Sequence, residues 1–333
     1  MTDPHVPSSR SRIVLREIAP VSWEHPADRA ALQALRRVPG FDEVIRRTFG
    51  FFGERGIRLL FQANAVRVGP TQFPKLNALY VEVLATLDWP DQPDLYVSQT
   101  PFVNAGAFGM DHPFIVVNSG TLSLLDEDEM RVLLGHEVGH VISGHVLYHT
   151  VLIILLFFGF SALPFLAGLA LLPVKLALLE WYRKSELSSD RAGLLASQDP
   201  QTSMRMFMKM AGGGRTDEMN LDAFMAQARE YEAPSGAMNA IYKILNTLPQ
   251  THPFATLRAA ELQRWVDAGA YESVLAGNYP KRGAPEAERP LGPDIDEAAR
   301  HYASEAKQAV EQVVDTAKRA ADAFTEAFRK RTQ

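Results

Sequence analysis

The strongest constraint on what this chain can fold into is a five-residue segment, His136-Glu137-Val138-Gly139-His140. On an α-helix, residues four apart differ by only about 40° of rotation, so His136 and His140 project side by side and can give two imidazole nitrogens to one metal ion. Glu137 lies on the adjoining face, within reach of a water activated by that ion. There it can take the water's proton during attack on a carbonyl and pass it to a leaving amine, as general base and then general acid. The ion itself lowers the pKa of the water and polarises the carbonyl. The flanks suit a helix: Asp126, Glu127, Asp128 and Glu129 put negative charge at the positive end of the helix dipole, and no proline interrupts the segment. Gly139 leaves room for a neighbouring element. The chain contains no cysteine, which excludes a disulfide framework and a thiol nucleophile and leaves histidines and carboxylates as ligands, a donor set suited to one Zn2+ per chain.

A catalytic zinc takes three protein ligands and keeps one open position. His145 is close in sequence, but on a continuous helix it lies about 140° around from His140 and half a turn from His136. The spacing also misses the pattern in which a glycine three residues after the second histidine bends the chain back to the metal. Glu186, in Glu186-Leu187-Ser188-Ser189-Asp190, is the better candidate, because a second helix there brings a carboxylate and, four residues on, an aspartate on the same face. Asp190 can then orient a zinc-bound imidazole and fix its tautomer. The other reading of this segment is a solvated Glu and Asp pair on an amphipathic helix.

Around these helices the pattern is mainly α with a small β-sheet. Residues 1–26 read as a polar leader, Ala30 to Val38 and Phe41 to Phe61 as helices, and Lys75 to Leu87 as a third. Leu95 to Ser98 and Phe114 to Val117 have the β-branched and aromatic character of strands, and helices follow at Glu180 to Gln198, Leu221 to Glu232 and Ala237 to Leu248. A catalytic unit over 27–279 gives way to a Pro-rich linker at 280–293 and a long Ala-rich helix at 294–333. The formal net charge of -5 offers no basic excess, so no nucleic-acid partner is expected. Met1 to Pro20 holds no apolar run resembling the core of a secretory signal, which predicts a cytoplasmic start.

Several segments, taken in order, resemble the HtpX and CAAX prenyl protease family of membrane-associated zinc metallopeptidases, a gluzincin group. They are Asn104-Ala105-Gly106-Ala107-Phe108, the strand and turn from Phe114 to Gly120, His136 to His140, the apolar insert, Glu186 with Asp190, and Thr251-His252-Pro253 followed by Arg258. The resemblance covers roughly Asp94 to Trp265. It implies a zincin-like α+β peptidase domain in which His136, His140 and Glu186 bind zinc and Glu137 is the base, acting on protein or peptide substrates. Asn104 and Ala105 would lie beside the substrate, with an edge strand holding a peptide in extended form by main-chain hydrogen bonds. His252 would help stabilise the oxyanion. No pair of apolar helices precedes the motif, so the family's membrane topology does not carry over.

The apolar insert, about 146–179, separates the two metal helices and must go out and come back. From Thr150 to Val174 it carries no charged side chain, but Gly159, Pro164, Gly168 and Pro173 interrupt it. It is too short for two full crossings of about 20 residues each, so a helical hairpin here predicts contact with a lipid membrane, dipping into one leaflet or making two tilted crossings if the flanking helices extend it, with the active site facing the cytoplasm. The other reading is an apolar hairpin buried in a soluble fold or an oligomer interface. The tail repeats with period eleven, aligning Tyr302, Val313 and Phe324 beside Lys307, Lys318 and Arg329. Such a face suits a membrane surface or a homo-oligomer, and a solvated stalk equally. The function expected is a zinc endopeptidase in quality control of misfolded or membrane proteins. The rival is a non-catalytic membrane scaffold with a structural zinc site, against which Glu137 argues.

Overall fold

The computed structural model describes residues 11–36, 62–158, 165–232 and 254–285, with single positions between 45 and 59. In chain order the elements used below are α1 (Pro26–Arg36), β1 (Ala65–Arg67), α2 (Pro74–Thr86), β2 (Asp94–Ser98), β3 (Ala105–Phe108), β4 (Phe114–Asn118), α3 (Ser119–Leu124), α4 (Glu127–Ile142), α5 (Val146–Phe158), α6 (Phe165–Ser197), α7 (Pro200–Gly212), α8 (Leu221–Glu232), α9 (Ala255–Asp267) and α10 (Ala270–Leu275). His252, the expected helix at Ala237 to Leu248, the break of the insert at 159–164 and the tail at 294–333 lie outside the described residues.

The four strands are ordered β1-β2-β4-β3, with β2 and β4 parallel and β1 and β3 antiparallel to their neighbours. Side chains alternate across a strand, and here both faces are covered. Leu95, Val97, Ile115 and Val117 join the core built on α2 and α4, while Tyr96, Phe114 and Val116 join one built on α1, α5 and α6. This double burial explains why Phe114 to Val117 is an unbroken apolar run. β3 lies at an edge of the sheet, directly over α4. Its Ala-Gly-Ala-Phe sequence has little β-propensity, so the strand depends on pairing with β4 rather than on its own residues.

The acidic run before the motif forms a reciprocal cap: Asp126 Oδ1 accepts from the Glu129 N–H at 2.9 Å, and Glu129 Oε2 accepts from the Asp126 N–H at 3.0 Å. α4 then ends at Ile142. Gly144 turns with φ +70°, a left-handed conformation that favours glycine, and α5 leaves at 98° to α4. Among the described residues no single helix is long and apolar enough to cross a membrane; α4 and the first part of α5 reach that length and composition only as this bent pair.

The contact that builds the site is a seam of small residues between α4 and α6. A Cβ at Gly139 would lie 2.5 Å from the Ala192 Cβ, and one at Gly135 would lie 2.4 Å from the Ala196 Cβ. The two backbones therefore approach closely enough for side chains from both to meet at one point. Gly139→Leu should destabilise the protein by about 1–3 kcal/mol through overpacking and should also weaken metal binding by prising the helices apart. Thermal unfolding and metal titration of the variant check this, and an unchanged melting temperature would show that the seam tolerates separation.

Residues 11–25, read as leader from their Pro, Ser and Arg content, run over the core. Leu15, Ile18 and Trp23 are fully buried against it, and Arg12 donates to Glu82 Oε1 at 2.6 Å and to the Ser197 carbonyl at 3.0 Å. The far end of the domain returns to the same place, where the Ala19 N–H donates to the Pro280 carbonyl at 3.0 Å and Arg282 donates to the Asp88 carbonyl at 2.6 Å. The buried side chains are irregularly spaced, which hides them from any periodic pattern.

Candidate metal centre

The glycine seam brings His136 and His140 of α4 against Glu186 of α6. The two Nε2 atoms are 3.1 Å apart, Glu186 Oε1 is 3.2 Å from His140 Nε2, and Glu186 Oε2 is 3.5 Å from His136 Nε2. Ligand atoms of the three residues all lie within 4.8 Å of one another, and all three side chains are buried. The arrangement fits a metal ion on its donor chemistry, because the second nitrogen of each imidazole is already committed elsewhere.

His136 Nδ1 lies 2.9 Å from Asp190 Oδ1. Asp190 can only accept, so Nδ1 carries a proton and Nε2 is the nitrogen left for a metal ion, which would displace any proton held there. Asp190 is in turn gripped by Arg258 of α9, whose Nε donates to Oδ2 at 2.9 Å while Nη2 donates to Oδ1. Burial alone would raise Asp190, but the Arg258 guanidinium and the His136 hydrogen bond hold its carboxyl below the ordinary carboxylate value.

His140 is held by a longer relay. Its Nδ1 is 3.0 Å from His145 Nδ1, and His145 Nε2 is 3.0 Å from Asp28 Oδ2. Asp28 fixes the protons: His145 donates to it from Nε2, so His145 Nδ1 accepts from His140, whose Nε2 is again left bare for a cation. Trp181 Nε1 donates to Asp28 Oδ1 at 2.9 Å and Ser188 Oγ to Oδ2 at 2.6 Å, completing the carboxylate's hydrogen bonds. The helix break at Gly144 makes this possible by turning His145 back towards α4. His145 is therefore outside the ligand cluster, as its spacing predicts, but in contact with a member of it. Asp28→Asn should weaken zinc binding about 10- to 100-fold, the usual cost of losing an outer partner, with the fold retained. Competition with a chromophoric chelator measures this, and wild-type affinity in the variant would show that the relay is not needed.

Glu137 is buried beside the ligands. The Ala107 N–H of β3 lies near its carboxylate, and Oε2 has no hydrogen-bond partner. Burial, with the negative charge of Glu186 adding to it, pushes this carboxyl up to about 7 against the pull of His136 and Arg258. The same negative groups act on His136: burial lowers it, but Glu186 and Asp190 outweigh burial and raise it to about 10. Burial, with the positive charge of His136 adding to it, pushes His140 the other way, down to about 3, so the point where the three side chains converge favours a single positive charge on the two imidazoles.

The centre opens into a cavity of about 680 Å³ lined by His136, Glu137 and Glu186 on one side and by Asn104 and Ala105 on the other. Arg258 also lines it. Sequence reasoning left Arg258, His145 and Asp28 without roles. Their spacings carry no periodic signal, and only Arg258 falls within a family pattern.

A buried carboxylate beside three side chains whose donor atoms converge as a metal ion requires, opening on a strand edge, is an arrangement that suits a metallopeptidase. Comparison of the sequence with known families agrees. The chain belongs to peptidase family M48, the HtpX-type metallopeptidases, whose family model matches residues 70–266. It is 33% identical over 268 residues to the plastoglobule-localized metallopeptidase 48, chloroplastic, of Arabidopsis thaliana, covering 79% of this chain and 77% of that protein. It is 28% identical over 226 residues to a protease HtpX homolog of Pseudarthrobacter chlorophenolicus, covering 60% of this chain and 75% of the relative. With a protease HtpX homolog of Burkholderia cenocepacia it shares 27% identity over 237 residues, 63% of this chain and 80% of the relative. No solved structure matches the chain. Asp28, the anchor of the His140 relay, precedes the region that the family model covers.

Proposed function

We propose that the protein is a zinc-dependent endopeptidase in which His136, His140 and Glu186 hold the ion and Glu137 is the general base. The observation that carries this reading is a buried Glu137 beside three convergent ligand atoms, with one carboxylate oxygen uncommitted. A bound zinc supplies Lewis acidity, polarising the scissile carbonyl and lowering the pKa of water. Glu137 takes the proton of the attacking water and returns it to the departing amine. Asp190 with Arg258, and His145 with Asp28, keep the two imidazoles in one orientation and tautomer. Asn104 and Ala105 line the edge along which an extended substrate adds to β3 by main-chain hydrogen bonds. His252, assigned on the family's His-Pro motif alone, helps to stabilise the oxyanion.

A protein substrate presented as an unfolded strand suits this edge, because main-chain pairing reads no particular side chain; this supports a role in clearing misfolded or membrane proteins. The uncharged stretch from Thr150 to Val174 supports contact with a lipid surface, with the catalytic cavity on the cytoplasmic side.

The test is metal content and casein cleavage by purified protein before chelation, after it and on return of zinc. About one zinc per chain is expected, with cleavage lost on removal and restored on return. Cleavage that survives complete metal removal would refute the reading. Stoichiometric zinc with no cleavage in any state would favour a scaffold with a structural ion.

A further inference from the structure

The edge strand β3 has a cavity on each side. The metal cavity faces α4. A second cavity of about 790 Å³ shares Asn104 and Ala105 with it but is walled by Phe108 and Val116, which belong to the opposite face of the sheet, by Ile153 of α5, and by Val66 and Phe73. Val66 and Phe73 are 43% and 40% exposed, so the cavity presents apolar surface to solvent. The Phe108 ring lies over Gly106, where a Cβ would come within 2.7 Å of it, and so forms the cavity's apolar wall at this point.

The register of the edge says how a bound strand meets these two cavities. The Asn118 N–H donates to the Asn104 carbonyl at 3.0 Å, which sets the phase of the β3–β4 ladder. By alternation, Gly106 and Phe108 point their main-chain groups at β4, while Ala105 and Ala107 point theirs outward. The outward groups of Ala105 and Ala107 therefore form the pairing edge. Successive side chains of a strand added there point to opposite faces. One set enters the metal cavity and the intervening set enters the second.

We infer that this second cavity is a side-chain subsite for the same substrate, selecting a bulky apolar residue at a position adjacent to the one whose side chain enters the metal cavity. The inference rests on the edge-strand reading above. The chemical class follows from the lining. No Asp, Glu, Lys or Arg lines the cavity, and at its polar end Ser98 Oγ already donates to Asn118 Oδ1 at 2.8 Å. A charged substrate side chain would find no opposite charge there, whereas an apolar one entering at the β3 end of the cavity would cover Phe108 and Ile153.

The test is to map the bonds cut in casein by mass spectrometry for wild type, Glu137→Gln, Ile153→Lys and Ile153→Glu, and then to measure kcat/KM on matched peptides. The two Ile153 variants place opposite charges at one point, and each is scored only with its zinc content verified. Wild type should favour apolar residues at one position. Ile153→Lys should lower the ratio of kcat/KM for apolar over acidic residues at that position by about tenfold and Ile153→Glu should not, both leaving the neighbouring preference unchanged. Cleavage that continues with no such preference in wild type, or with the same profile in both variants, would overturn the subsite and leave the edge-strand reading standing. Absence of any Glu137-dependent cleavage would overturn both.

Discussion

Glu137→Gln is expected to leave zinc bound and to lower cleavage of unfolded casein by about 10³-fold, within the 10²- to 10⁴-fold range of general acid–base catalysis. The amide nearly preserves the shape of the side chain but cannot accept a proton. None of the three ligand atoms belongs to Glu137, so metal content should match wild type. Wild-type activity should fall as pH drops, because the base must be deprotonated to act. Burial raises its carboxyl to about 7, and a bound dication pulls this down, so the acid limb is expected below pH 7. Zinc quantification, casein cleavage and a pH profile check all three statements. Equal activity in the variant would remove Glu137 from the mechanism, and loss of zinc together with activity would make it a structural residue.

The second large effect is expected at Arg258. Its side chain is almost wholly buried, clamps both oxygens of Asp190, places Nη1 3.4 Å from Glu186 Oε2, and stacks over the Phe207 ring with Cζ 5.1 Å from the centroid. In the metal-free protein this guanidinium offsets the charge of two buried carboxylates, and removing one partner of a buried ion pair typically costs about 3–5 kcal/mol. Arg258→Ala should lower the stability of the metal-free protein by about that amount. It should also weaken zinc binding about 10- to 100-fold, since Asp190 would no longer hold His136. Arg258→Lys restores the charge but not the planar fork, so it should recover stability more than affinity. Denaturant unfolding of the apo protein and chelator competition separate the two effects. A stable Arg258→Ala with wild-type zinc affinity would show that Asp190 needs no anchor.

The two networks beside the His136, His140 and Glu186 cluster come from different parts of the chain. Asp190 and Arg258 both lie within the region common to the family, while Asp28 is brought by the helix that follows the N-terminal segment. The N-terminal residues thus cover the core through Leu15, Ile18 and Trp23 and also supply the outermost member of the His140 relay. Composition suggested a leader because Pro, Ser and Arg are frequent across residues 1–26, but three well-placed side chains suffice to bind a short segment to a core.

The sequence by itself determined the local chemistry. The four-residue spacing of His136 and His140, the matching step from Glu186 to Asp190, the acidic cap at Asp126 and the apolar runs of β2 and β4 are all properties of one helix turn or one strand. They follow from bond geometry and the alternation of side chains. Only the tertiary structure decided which distant groups complete the site. His145 becomes a partner of His140 because Gly144 breaks the helix, β3 becomes a strand because β4 pairs with a segment too small to prefer that form, and Asp28 and Arg258 arrive from opposite ends of the domain. The physical reason is common to all four cases. Local periodicity follows from short-range sterics, whereas a buried polar group takes whichever partner the packed chain brings within hydrogen-bond distance, and that partner leaves no mark in the spacing of the sequence.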